Sequence, residues 1–151
     1  MNEIILLKLG EVVLKGLNRR TFEDKLMSNI RRRLQHCGKF QVYSRQSTIY
    51  VEPQSDSCDM DEAYAACKQI FGIISVTRAR PCEKDKDAIL ACARDFLDEQ
   101  LRTARTFKVE TKRADKSFPM TSIQLSQAVG GELAERFPNV TVDVHHPDLT
   151  V

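Results

Sequence analysis

No stretch of this 151-residue chain approaches the roughly 20 consecutive apolar residues that a membrane span needs. The apolar run Ile4 to Leu7 near the start is also far too short for a signal peptide, and Lys8 interrupts it. Cysteine occurs five times, an odd number, and never as C-x-x-C, so neither a disulfide framework nor a zinc site is suggested. The histidines, His36, His145 and His146, lack metal-ligand spacing, and no Ser/His/Asp arrangement can be argued from spacing. Neither sign of charge dominates. A net charge of +2 and a pI near 8.3 do not diagnose nucleic-acid binding. A reducing cytoplasm is the default setting, and no metal ligand set is expected.

What is present is enough apolar material for a packed core, 42% of residues, in a length that suits one ordinary domain or two small ones. Charge is unevenly distributed. From Lys8 to Arg33 there are eight Lys or Arg against three acids, whereas Asp56, Asp59, Asp61 and Glu62 cluster without a basic residue among them. A basic side and an acidic side follow if the fold segregates them.

The chain begins with a buried strand, Ile4 to Leu9, that Gly10 ends. Asn18 or Thr21 can cap the long helix that follows, whose stripe is Phe22, Leu26, Ile30 and Leu34 with Met27 and Cys37 beside it, and Gly38 is a natural stop. Phe40 to Arg45 and Thr48 to Glu52 read as a hairpin across Gln46-Ser47, although that link lacks the usual Asn-Gly. Asp59 with Glu62 caps a helix whose apolar positions Met60, Tyr64, Cys67 and Phe71 repeat helically up to Gly72. Ile73 to Arg80 is another strand. The order βαββαβ predicts a ferredoxin-like unit over residues 1–81, with a four-stranded antiparallel sheet carrying two helices on one face. Pro81 marks the break. A second unit over 82–151 is expected, though its first helix could equally be counted from Met60. Asp85 leads a long helix with Ile89, Ala93, Phe96, Leu97 and Leu101 inward; Val140 to Val144 and Leu149 to Val151 read as strands around a His145-His146-Pro147-Asp148 turn. A strand beginning three residues from the end has no partner following it, so a truncated α/β domain is expected.

Between these elements lies Thr106 to Phe137. Phe107, Val109 and Thr111 alternate with Lys108, Glu110 and Lys112, which predicts a strand ending at Arg113. Lys116, Ser117 and the Phe118-Pro119 pair form a turn, because the residue before proline is pushed out of the helical region. Thr121 with Gln124 is a capping-box pattern, and Leu125, Val129, Leu133 and Phe137 give one apolar stripe. Lys112, Arg113 and Lys116 are thereby delivered to a helix N-terminus, where free N–H groups favour an anion. This is either a phosphate-binding corner or a solvated charged turn. Gly130-Gly131 lies mid-helix, where the pair is expected to permit close helix packing.

The run L-G-E-V-V-L-K-G-L-N-R-R-T-F-E (Leu9 to Glu23) closely resembles the opening of the bacterial tRNA 4-thiouridine synthetases, also called tRNA sulfurtransferases. T-K-R-A-D-K-S-F-P-M-T-S (Thr111 to Ser122) and V-D-V-H-H-P-D-L-T-V (Val142 to Val151) resemble the THUMP domain of the same enzymes. The fold implied is α+β, a ferredoxin-like domain followed by a THUMP domain. The function implied is a tRNA-binding module that holds the acceptor stem and 3′ CCA end. The family's chemistry belongs to a later pyrophosphatase-type domain with a Ser-Gly-Gly-x-Asp-Ser loop, which this sequence does not contain; ATP and Mg²⁺ are implied for that domain and no cofactor or catalytic residue for this chain. The RNA-binding candidates are Lys112, Arg113, Lys116, Ser117 and Phe118, with Thr121 and Ser122 at the helix start. Lys15, Arg19 and Arg20 are second-rank candidates. Phe118 either stacks on a base or packs as a hydrophobic staple. Three other readings stay open. One is a protein-interaction or homodimerisation module with an incidental basic face, another a THUMP module of a methyltransferase or pseudouridine synthase, and the last an acylphosphatase-type enzyme using an arginine of the Gly10 to Arg20 loop.

Overall fold

The computed structural model describes residues 3–10 and 19–151. The chain divides between Pro81 and Cys82 into two compact units. Among the described residues, no helix is long and apolar enough to cross a membrane.

In the first unit β1 (Ile4–Leu9) turns Ile5, Leu7 and Leu9 into the core by simple alternation. It lies between β3 (Thr48–Pro53) and β4 (Ile73–Ala79), with β2 (Phe40–Arg45) outermost, in the order β2-β3-β1-β4 and antiparallel throughout. Ile5 pairs with Val51 and Leu7 with Ile49, so four fully buried side chains form the floor of the core. Helix α1 (Arg19–Arg33) covers it with Leu26 and Ile30, and α2 (Met60–Cys67) with Ala63 and Cys67. This is the ferredoxin-like arrangement.

Three local expectations are corrected here. Helix α1 already begins at Arg19, so Thr21 sits in its first turn rather than capping it; Asn18 and Lys15 lie outside the described residues. A 3-10 turn, Gln35–Cys37, then carries Cys37 into the core before Gly38, at φ 130°, ends the run. Helix α2 stops at Cys67 instead of running to Phe71. Gln69 N donates to Ala66 O and Ile70 N to Cys67 O, which closes the helix in a 3-10 turn; Ile70 continues the buried stripe of Ala63 and Cys67, and Phe71 is left 89% exposed. Gln46 and Ser47 both adopt positive φ, 50° and 67°, which gives the hairpin its I′ turn without a glycine.

The second unit is a parallel sheet of β5 (Thr106–Lys108), β6 (Thr141–Val142) and β7 (Leu149–Thr150), in the order β6-β5-β7, with helices packed on it. Its central strand β5 (Thr106–Lys108) buries Phe107 completely, against Leu101, Val129, Leu133, Phe137 and Val140. The helix led by Asp85 is broken: α3 (Lys86–Phe96) and α4 (Asp98–Thr103) meet at Leu97, whose φ of −105° and ψ of 11° turn the chain. Asp98 and Glu99 provide a new acidic first turn for α4, which its dipole favours. Leu90 joins Ile89, Ala93 and Leu97 on the core face.

The central strand and one of its neighbours are shorter than the alternation predicts. β5 ends at Lys108, although its ladder with β7 (Leu149–Thr150) continues through Val151 N to Lys108 O and Glu110 N to Val151 O. β6 comprises only Thr141–Val142, because Asp143 Oδ1 accepts from His145 N and His146 N, both at 3.0 Å, and bends the chain away. Helix α5 (Ser122–Arg136) crosses this sheet. Gly130-Gly131 does not serve close packing: a Cβ at Gly130 would meet Val109 Cγ2 at 3.8 Å, an ordinary contact, and one at Gly131 would meet nothing within 4 Å. The pair instead leaves a groove of about 510 Å³ beside Val109, Val142 and Val144.

Candidate nucleic-acid interface

Past Glu110 the chain leaves the sheet and is tied to α5 by a 2.7 Å hydrogen bond between Thr111 Oγ1 and Ser126 Oγ. It then makes a turn that three residues hold. Asp115 Oδ1 accepts from Ser117 N at 3.0 Å and Ser117 Oγ at 2.6 Å, while Asp115 Oδ2 accepts from Lys84 Nζ at 2.9 Å. The Ser117 hydroxyl first, and then Lys84, hold the Asp115 carboxyl far below the usual carboxylate range. Arg113 Nη1 donates to Phe118 O at 3.3 Å and Met120 O at 3.2 Å, closing the loop from its other side.

The helix start is built as its sequence predicts. Thr121 Oγ1 accepts from Gln124 N at 3.1 Å and Gln124 Oε1 accepts from Thr121 N at 2.9 Å, so the capping box is complete. Two backbone donors are thereby used internally. Ser122 and Ile123, the first two helical positions, precede the first intrahelical donor, and this end of α5 keeps its partial positive charge.

Around this frame Lys112, Lys116 and Ser117 are exposed, whereas Arg113, Phe118 and Ser122 are half-buried. Among the described residues, Lys112 and Lys116 make no ion pair. Phe118, Met120 and Leu125 line a cleft of about 320 Å³ that also takes in Lys84, Arg113 and Thr121. A shallower depression of about 660 Å³ on the other side of Lys112 is lined by Thr111, Ser122, Ile123 and Ser126. The arrangement is thus two exposed cations on a braced turn, a helix N-terminus beside Lys112, and an apolar cleft beside Arg113. Phe118 forms a wall of that cleft.

Arg19 and Arg20 stand in the first turn of α1, in the other unit. Arg19 is engaged with Glu23 at 3.2 Å and with Ser47 Oγ at 2.6 Å, and Arg20 is exposed. Lys15 lies outside the described residues. The basic face continues along α1 through exposed Lys25, Arg31, Arg32 and Arg33, with Arg31 Nη2 donating to Val42 O at 2.9 Å. The acidic cluster sits on α2, where Asp59 caps the helix and Asp61 pairs with Arg78 at 2.6 Å.

Sequence reasoning missed the bracing pair Lys84 and Asp115. The Asp-x-Ser spacing of Asp115 and Ser117 is the signal that could have found half of it, since Asp side chains cap their own backbone two residues on. The adjacent glycines Gly130 and Gly131 are interior to a regular helix and form no loop that could cradle phosphates.

Comparison with known proteins matches residues 4–77 to the ThiI ferredoxin-like domain and residues 83–151 to the THUMP domain. The chain is 41% identical over 153 residues to a probable tRNA sulfurtransferase of Acetivibrio thermocellus, covering 99% of this chain and 38% of that protein. It is 38% identical to the corresponding protein of Alkaliphilus oremlandii, covering all of this chain and 39% of the relative. The chain therefore spans less than two fifths of the length of these relatives. Among solved structures, a 4-thiouridine synthetase in complex with RNA and ATP superimposes with a TM-score of 0.82 at 25% identity over 99% of this chain and 37% of the other. PH1313 from Pyrococcus horikoshii shares the fold, with a TM-score of 0.76 at 24% identity over 99% of this chain and 49% of its own.

Proposed function

We propose, from the premise that the chain belongs to the family joining a ThiI ferredoxin-like domain to a THUMP domain, that it is the tRNA-binding module of a tRNA sulfurtransferase that makes 4-thiouridine. The observation that carries this reading is the pair of exposed, unpaired lysines, Lys112 and Lys116, on a turn braced at the N-terminus of α5. Such a corner binds backbone phosphates, which fix register without reading sequence. Unstacked 3′ nucleotides are the natural RNA partner for it, because single-stranded ends leave bases open to stacking and edge contacts. The cleft beside Phe118 takes one base of the 3′ CCA, with the Thr121 hydroxyl in its lining, while Ser117 and Ser122, next in sequence to Phe118 and Thr121, supply hydroxyls to the adjoining backbone. Arg19 and Arg20 of the first unit, with Lys15 in the adjoining segment, engage the acceptor stem. Arg113 acts chiefly by shaping the turn. The adenylation chemistry, with its ATP and Mg²⁺, belongs to parts of the parent enzyme outside this sequence, and the enzyme works in the cytoplasm.

A second reading, self-association, draws on Val142 and Val144, which are 59% and 60% exposed beside an edge strand. A tRNA titration over a salt series separates the two. A phosphate-binding surface loses affinity steeply as salt rises, and Lys112→Ala or Lys116→Ala each lowers the slope by about one. Removal of the 3′ CCA weakens binding more than alteration of the anticodon loop. Equal loss from both RNA changes, with a flat salt series, would overturn the proposal.

A further inference from the structure

The acidic cluster that plays no part in RNA binding has a chemistry of its own. Its residue Glu62 meets His36 and Cys37, which are distant in sequence: His36 Nε2 lies 3.0 Å from Glu62 Oε1, and one ligand atom from each of the three residues lies within 4.8 Å of the others. The backbone that carries them is firmly placed. Cys37 N donates to Leu34 O at 2.9 Å, and Asp59 N donates to Cys37 O at 2.8 Å. Gly38 is pressed so closely onto Cys58 that a Cβ there would stand 2.7 Å from Cys58 Sγ. Asp59 fixes the first turn of α2, and so Glu62, by accepting from Glu62 N at 3.0 Å.

We propose that His36, Cys37 and Glu62 form a binding site for a divalent transition metal of the zinc and cobalt class, with water in the fourth position. Thiolate, imidazole and carboxylate are together the donor set such ions select, and three protein ligands with one open position is a recurrent arrangement. One pair already stands near the spacing an ion requires, and Cys37 Sγ, within 4.8 Å of both partners, has to close by up to about 1.3 Å to reach the roughly 3.5 Å that bonds of about 2.3 and 2.0 Å set. Tetrahedral bonds of about 2.0 Å to nitrogen and oxygen put those two atoms roughly 3.3 Å apart, so the 3.0 Å separation opens by only a few tenths. His36 and Glu62 are exposed and can swing onto the ion, while Cys37, 3% exposed, anchors it from below. The surroundings favour a cation. The carboxylates of Glu62 and Asp59 stand near enough to act on the Cys37 thiol, which burial chiefly, and then these two charges, push up. Arg78, the nearby cation, is engaged by Glu3 and Asp61. Binding releases the Cys37 proton to solvent, and affinity therefore rises with pH.

Titration of the reduced 151-residue chain with Co²⁺ tests the site. One equivalent is expected to give a near-ultraviolet thiolate-to-cobalt charge-transfer band together with tetrahedral bands in the visible, all displaced by Zn²⁺. Cys37→Ser abolishes the charge-transfer band, and Cys58→Ser leaves it, because the Cys58 thiol donates to Lys39 O at 3.1 Å outside the triad. Cys37 is buried, so His36→Ala and Glu62→Gln, both at exposed positions, carry the decision: each weakens Co²⁺ about tenfold or more with the circular dichroism unchanged. Absence of the band in the unaltered chain, its survival in Cys37→Ser, or unchanged affinity in both exposed variants would overturn the proposal.

Discussion

Lys84 Nζ and Asp115 Oδ2 stand 2.9 Å apart across 31 residues of sequence, joining the segment before α3 to the turn that presents Lys112 and Lys116. The same carboxylate caps Ser117 through its other oxygen, so one side chain brings a long-range and a local constraint to bear on the turn.

That double role has a pH signature. The Asp115 carboxyl is held below its ordinary value, so the stability it contributes is fully present above the unfolded value of about 3.9 and is lost as pH falls through the folded one. Asp98 and Asp143 are lowered in the same direction, by Arg102 and by the His146 and His145 backbone, and share in the acid loss of the whole chain. The difference between the unaltered chain and Asp115→Asn isolates one of the three. Denaturant melts at descending pH are expected to show that difference shrinking below about pH 4; a gap that stays constant would mean that charge on Asp115 is irrelevant.

Arg113 is predicted to resist conservative replacement. Its Nη1 donates to two carbonyls at 3.3 and 3.2 Å from the end of a side chain one bond longer than lysine's, so an ammonium in its place falls short of both. Arg113→Lys, which keeps the charge, should therefore lose tRNA affinity nearly as far as Arg113→Ala, roughly tenfold, or about 1.4 kcal/mol. Lys116→Arg should bind as the unaltered chain does. Filter-binding curves that rank Arg113→Lys with the unaltered chain would make Arg113 a plain phosphate contact instead.

The hairpin at Gln46-Ser47 offers a stabilising change. Both residues hold positive φ, which costs non-glycine residues of order 1 kcal/mol each. Gln46→Asn relieves part of that and should stabilise by about 0.5 kcal/mol. Ser47→Gly relieves more strain but gives up the 2.6 Å hydrogen bond from Arg19 Nη2, so its net gain should be smaller than the φ alone suggests. Chemical denaturation of the two variants, alone and with Arg19→Ala, shows whether the lost hydrogen bond accounts for the difference.

Much of this architecture is written in short-range patterns. The alternation in Ile4 to Leu9, the capping box of Thr121 and Gln124, and the caps at Asp59 and Asp85 depend on neighbours within four residues, and each is observed. What periodicity could not supply were events decided by distant partners. The early end of β6 is the exception, a short-range event in which the Asp143 side chain takes the backbone N–H groups two and three residues on. Lys84 finds Asp115, and His36 finds Glu62, only after the chain has folded. In the candidate interface the basic residues were legible as a composition, but the division of labour between Arg113, turned inward, and Lys112 and Lys116, turned outward, depends on where the carbonyls of Phe118 and Met120 lie.

The end of α2 turns the same lesson into a measurement. Helical spacing from Met60 through Tyr64 and Cys67 assigns the next inward position to Phe71, yet Ile70 is 3% exposed and packs in the core while Phe71 is 89% exposed. Ile70 follows buried Ala63 at i+7 and buried Cys67 at i+3, so it continues the stripe those two define, and the i to i+3 hydrogen bonds after Cys67 end the helix before Phe71 can join it. Deleting a buried isoleucine side chain to the β-carbon removes its transfer energy and leaves a cavity, at a cost of about 2–5 kcal/mol. An exposed phenylalanine has little burial to lose, so Phe71→Ala should stay within about 0.5 kcal/mol of the unaltered chain. Ile70→Ala should therefore be the damaging variant of the two by several-fold in free energy. Denaturant midpoints with matched m-values decide it: a larger loss from Phe71→Ala than from Ile70→Ala would mean that the helix continues past Cys67 in solution and that the tighter winding is wrong.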